Sequence, residues 1–168
     1  LVHGHAVDTP FLDDFTFATD WIRYAKGELK WGDLFSAHME HRVAIPRMIS
    51  LGLNLLFGGD LRWQNGVTLL LLIGTGWSLL ILWRQTTGAA LHQSWLPLLL
   101  MSSVLFCAVQ WQLLLWPILF EIMLPIFGFT LALACWMSGM RAWLAWGIAA
   151  AGALVGTLSF GNGMQSWL

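Results

Sequence analysis

The stretch SAHMEHRVAIPR, residues 36–47, places His38, Glu40, His41 and Arg42 within five positions. Two imidazoles, a carboxylate and a guanidinium can bind a metal, relay protons or recognise an anion. His38 and His41 are three apart and share a face if the segment is helical. Neither the His-Glu-x-x-His nor the His-x-x-Glu-His spacing of zinc sites is present, which argues against a zinc signature. Anion recognition suits these residue types better: Arg42 presents a planar fork to phosphate, and His41 adds a donor or a proton. The plainer alternative is a solvated hydrogen-bond network bracing two surface helices.

Other polar groups could join it. Adjacent carboxylates at Asp13 and Asp14 can supply a general base or oxygen ligands for a divalent cation, or simply cap a helix. Glu121 lies one turn into an apolar run, between Pro117 and Pro125. A carboxylate at such a depth is costly unless paired, which makes it a functional candidate. Gln110 and Gln112 flank Trp111, and Asn162 follows the last apolar run; their amides offer contacts at helix ends, though ordinary turn residues look the same.

The elements that must position these groups are mostly oily. The 168 residues are 58% hydrophobic and 10% charged, against about 25% charged in ordinary soluble domains. Fourteen of the 17 charged side chains fall in residues 1–62, and after Arg84 only Glu121 and Arg141 remain. The second half has no material for a solvated surface. The pattern predicts an all-α, polytopic transmembrane bundle with an N-terminal loop of amphipathic interfacial helices. A net charge of −1 and the lack of a basic run offer nothing in favour of nucleic acid, and no nucleic-acid partner is expected. Cys107 and Cys135 sit in apolar runs and read as packing residues rather than a disulfide.

Four runs approach the length of about 20 residues that crosses a bilayer: transmembrane helices are expected over 64–84, 95–110, 117–139 and 142–160. Trp63 and Trp83 are 20 apart, as are Trp116 and Trp136, and tryptophan favours the headgroup level. Trp77 falls mid-span and is expected to pack against a neighbouring helix. Residues 48–62 are too short to span and suit an interfacial or re-entrant helix. Residues 1–47 form a polar loop in which Phe17, Trp21 and Tyr24 recur at helical spacing, from a start at Asp13 or Asp14 to an end at Gly27. A second helix start is expected at Asp33. Gly152 and Gly156 make a small-xxx-small pair suited to close packing.

With four spans, residues 1–62, the turn at 110–116 and the tail 161–168 share one side of the membrane. The short turns holding Arg84 and Arg141 share the other, which the positive-inside rule makes cytoplasmic when the six Lys and Arg of the long N-terminal region are discounted. The chain is expected to be a piece of a longer protein, truncated at both ends.

The order DDFTF, GELKWGDLFSAHMEHRVAIPRM, LFGGDLRWQ, QWQLLLW and LSFGNGM resembles a group of bacterial multi-pass membrane proteins. That group in turn resembles the C-type glycosyltransferases, which use lipid-linked sugars. The resemblance covers essentially the whole chain, with HMEHR, QWQLLLW and SFGNG its sharpest pieces; Met39 stands where the group usually has Asn. It implies an inner-membrane enzyme that moves a sugar from a polyprenyl-phosphate carrier to an acceptor on the extracytoplasmic face. Asp13 and Asp14 match the acidic position that serves as base or metal ligand. His38, Glu40, His41, Arg42, Gln110, Trp111, Gln112, Glu121 and Asn162 are then candidates for binding the phosphate and the lipid-linked sugar. The first span and the later spans of that group are absent from this sequence. The alternatives are a non-enzymatic multi-pass transporter or envelope assembly component, and a zinc hydrolase using His38 and His41.

Overall fold

A computed structural model describes residues 8–10, 12–36 and 43–160. Among them every regular element is helical, and none is a strand. The expected all-α class is therefore observed, and the helices fall into two sets.

The first set is short and the more polar of the two, although its helix Ala44–Phe57 is itself largely apolar. Helix α1 (Asp14–Ala25) is followed by a 3₁₀ turn at Trp31–Phe35, which takes the place of the helix expected from Asp33. Helix α2 (Ala44–Phe57) covers most of the segment expected to be interfacial. It ends where Gly58 adopts φ 69°, and the amides of Gly58 and Gly59 both donate to the Asn54 carbonyl. That left-handed stop is one only glycine makes without strain.

The second set is apolar. Helix α3 (Arg62–Thr87) has 26 residues, and α6 (Phe120–Met137) continues a 3₁₀ turn at Pro117–Leu119. The apolar helices Arg62–Thr87 and Pro117–Met137 are the two that are long and apolar enough, among the described residues, to cross a membrane. The other two expected spans are shorter. Helix α4 (Trp95–Leu105) has 11 residues, about 16 Å at the helical rise, and breaks before the five-residue α5 (Trp111–Leu115). Helix α7 (Ala142–Thr157) has 16.

Helix α6 is the hub, packed on α7 and on α3. Its contact with α7 is glycine against glycine: a Cβ on Gly128 would stand 3.0 Å from the Gly152 carbonyl oxygen. Its contact with α3 is nearly as close, since a Cβ on Gly74 would meet the Phe127 ring at 2.6 Å. The expected close approach at Gly152 is therefore present, with Gly128 as its partner.

Helix α3 is inside-out. Its buried positions are Gln64, Asn65, Thr68, Thr75 and Ser78 together with Leu71, Leu72 and Leu80, while Leu70, Ile73 and Trp77 face outward. The inward hydroxyls are satisfied by their own helix: Thr75 donates to the Leu71 carbonyl at 2.8 Å and Ser78 to that of Gly74 at 2.9 Å. Trp77 is 61% exposed, so it does not pack into the bundle as its mid-span position suggested. Gly74 against the Phe127 ring brings α3 and α6 close together, which leaves the large indole on the outer face.

Hydrogen bonds gather the polar set at one end of the apolar set. The Ile45 amide donates to the Leu158 carbonyl at 3.1 Å, joining the start of α2 to the end of α7. Gln64 donates to the Ser50 hydroxyl at 2.9 Å, joining α3 to α2. The Asn65 amide reaches the Leu115 carbonyl at 3.5 Å.

Candidate functional site

Helix α1 is fastened to this end by two residues one turn apart. Asp14, 1% exposed, accepts the Ile118 amide at 3.0 Å across 104 residues of chain. Pro117 has no amide of its own, so Ile118 supplies the first donor of the helical segment running into α6. A carboxylate there satisfies an orphan donor and complements the helix dipole. Phe17, 2% exposed, packs its ring on Phe120 with centroids 6.1 Å apart. The apolar core around them includes Val43, Leu72, Ile118 and Met123.

This placement separates two carboxylates that sequence left equivalent. Asp14 caps a distant helix. Asp13 stands at the N-cap of α1 without a side-chain capping bond, and is half-buried. Glu121 is 7% exposed, its Oε2 has no hydrogen-bond partner, and Asp13 and Asp14 are the charges that act on it. Pro125 lacks the amide that would pair with the Glu121 carbonyl. Acidic groups far apart in sequence thus converge at the head of α6. Among the described residues no three His, Cys, Asp or Glu side chains are arranged to hold a metal ion.

A second constellation went unrecognised in the sequence. Arg47 is 6% exposed and ties three elements together. Its Nη1 donates to the Asp33 carbonyl at 2.6 Å and to the Ser36 hydroxyl at 2.7 Å. Its Nε faces Asp20 Oδ2 at 3.5 Å, an ion pair too long and poorly aligned to count as a hydrogen bond. Burial pushes the Asp20 carboxyl above its ordinary range, against the opposing pull of Arg47 and Arg23. Asp33 behaves oppositely: the Lys30 amide donated to it, with Arg23 at 2.6 Å, holds its carboxyl low. The only signal in the sequence was a lone arginine beside a proline at the start of an apolar run.

His38, Glu40, His41 and Arg42 lie outside the described residues, as does Asn162. The flanks of the first group are fixed: Ser36 by Arg47, and Val43, 1% exposed, in the core. Gln110 and Gln112 line one cavity of about 400 Å³, whose walls include Leu72, Leu105, Leu113 and Ile126. Trp111 between them is 58% exposed and is not part of its wall. The expected amide pair therefore converges on a cavity, and the tryptophan does not.

Another cavity, of about 310 Å³, lies between the 3₁₀ turn and α2, lined by Tyr24, Trp31, Leu34, Leu51 and Leu55 with Lys30 among them. Its surroundings are unusually apolar for a surface. Trp31 is 79% exposed and Phe35 47%.

No family model, curated protein or solved structure matches the chain.

Proposed function

We propose that this chain is part of a multi-pass inner-membrane glycosyltransferase, moving a sugar from a polyprenyl-phosphate carrier to an acceptor hydroxyl on the extracytoplasmic face. The membrane part of this reading rests on α3, which buries Gln64, Asn65, Thr68, Thr75 and Ser78 beside Leu71, Leu72 and Leu80, and whose exposed mid-helix residues, Leu70, Ile73 and Trp77, are all large and apolar. Water would drive the opposite arrangement; lipid favours this one, because outward apolar side chains cost nothing there and inward hydroxyls bond within the bundle. The 16-residue α7 is proposed as a further span, and α4 together with α5 as one broken span over 95–115.

The observation that carries the transfer chemistry is the Asp14–Ile118 pin. It brings Asp13 to the head of an apolar helix beside the buried Glu121. In the proposed step Asp13 takes the proton of the acceptor hydroxyl as its oxygen attacks the anomeric carbon. The bond from that carbon to the carrier's phosphate breaks, and polyprenyl phosphate leaves. Arg42 and His41 are assigned to the leaving phosphate by residue type. Asp14 is reassigned from base to positioning residue, because its carboxylate already serves Ile118. The apolar hollow at Tyr24, Trp31 and Leu55 takes the start of the prenyl chain, with Lys30 toward its phosphate.

The test uses full-length protein in membranes supplied with radiolabelled polyprenyl-phosphate sugar. Asp13→Asn is expected to lower turnover a hundredfold or more, with general-base catalysis contributing about 10²–10⁴. Asp14→Asn keeps an acceptor oxygen for Ile118 and is expected to lower turnover less than tenfold. Wild-type turnover in Asp13→Asn sinks the mechanism.

A further inference from the structure

A third cavity, of about 250 Å³, opens where α1 faces the end of α2, and its lining includes Asp8, Trp21, Asn54, Gly59 and Leu61. It is distinct from the carboxylate group at the head of α6. Asn54 is 2% exposed, yet its buried Oδ1 has no hydrogen-bond partner. Buried amide oxygens are almost always satisfied, so this one asks for a donor from whatever fills the cavity. The backbone from which this side chain projects is fixed, since the amides of Gly58 and Gly59 both donate to the main-chain carbonyl of Asn54.

The other walls narrow the chemistry. Asp8 Oδ1 accepts the Leu61 amide at 3.0 Å, which fixes a carboxylate at the rim. Gly59 lies at φ 89°, and a Cβ there would come within 3.2 Å of Trp21 Nε1; its bare backbone lets the indole close one side. Arg62 is paired with Asp60 at 2.8 Å and lies in the field of Asp8 as well; one cation against two carboxylates leaves this group negative, which disfavours phosphate. Two oxygen acceptors beside an indole suit a ring with hydroxyl donors at its edge and C–H groups on its face.

We propose that this cavity is a sugar-ring subsite, with Asn54 and Asp8 accepting ligand hydroxyls and Trp21 covering the ring. The choice of a sugar rests on the transfer reading above; the need for a hydrogen-donating occupant does not.

Saturation-transfer NMR on the full-length protein in nanodiscs tests it, with free hexoses, N-acetylhexosamines and pentoses as probes and inorganic phosphate as competitor. One sugar class is expected to receive saturation, and phosphate is expected not to displace it. Asn54→Leu removes the acceptor, and Ala18→Leu fills the cavity without touching a polar group; each is expected to weaken binding tenfold or more. Absence of saturation from every sugar overturns the proposal, as does displacement by phosphate. So does wild-type affinity in Ala18→Leu, even should Asn54→Leu fail to fold. Sugar binding that needs Asn54, in a protein without transferase turnover, upholds the subsite and removes only the transfer reading.

Discussion

Asp13 and Asp14 are neighbours of identical type, and their roles diverge because a helix turns successive side chains about 100° apart. Asp14 falls on the same face as Phe17 and enters the core, while Asp13 stays at the helix start. Asp20 and Asp33 diverge through environment, and this has a measurable consequence. Burial raises the Asp20 carboxyl, so its stabilising contribution is present below the ordinary carboxylate range and is lost as pH rises through the raised value. Asp33 is held low, so its contribution is present above the ordinary range, near about pH 4, and is lost as pH falls through the lowered value. Melting temperature measured against pH in detergent is expected to fall with rising pH less steeply in Asp20→Asn than in wild type. In Asp33→Asn the acid-side loss is expected to shrink. A pH profile of Asp20→Asn superimposable on wild type would remove the Asp20 argument.

Between elements, the decisive contacts are made by what is missing. Gly128 and Gly152 let α6 and α7 meet backbone to backbone, and a methyl on either has only main chain to push against. Gly128→Ala is expected to separate the two helices and destabilise the protein by about 1–3 kcal/mol, the usual cost of overpacking. Gly66→Ala serves as the control, because a Cβ there meets nothing within 4 Å. Equal melting temperatures for the two variants would count against the α6–α7 interface. Helix α1 illustrates a limit of periodicity. Phe17, Trp21 and Tyr24 share helical spacing, yet Phe17 is 2% exposed and Tyr24 is 45% exposed. The pattern shows which face is aromatic, but the depth of each ring depends on where α1 meets Phe120.

For the whole molecule, the reversed polarity of α3 makes a topological prediction. In a background with Cys107 and Cys135 replaced by Ala, Trp77→Cys is expected to resist a membrane-impermeant maleimide in intact membranes and to react after detergent is added. Lys26→Cys, on the polar set of helices, is expected to react from the extracytoplasmic side without detergent. Rapid labelling at position 77 in intact membranes would refute a lipid-facing α3. Protection of Lys26→Cys until the cytoplasmic face is opened would reverse the proposed orientation.

The order of residues alone determined the helical class and the division into a charged first third and an oily remainder, because both follow from local periodicity and from the scarcity of charge. It also marked Asp13, Asp14 and Glu121 as unusual. It did not show that Asp14 reaches Ile118, that Glu121 lies in the field of both aspartates, or that Arg47 and Asn54 matter. Those depend on contacts between residues far apart in the chain, which no local pattern encodes. Tertiary structure decided which carboxylate is committed and which is available, for a simple physical reason. A buried helix-start amide needs an acceptor, and once Phe17 is seated on Phe120, Asp14 is the one that reaches it.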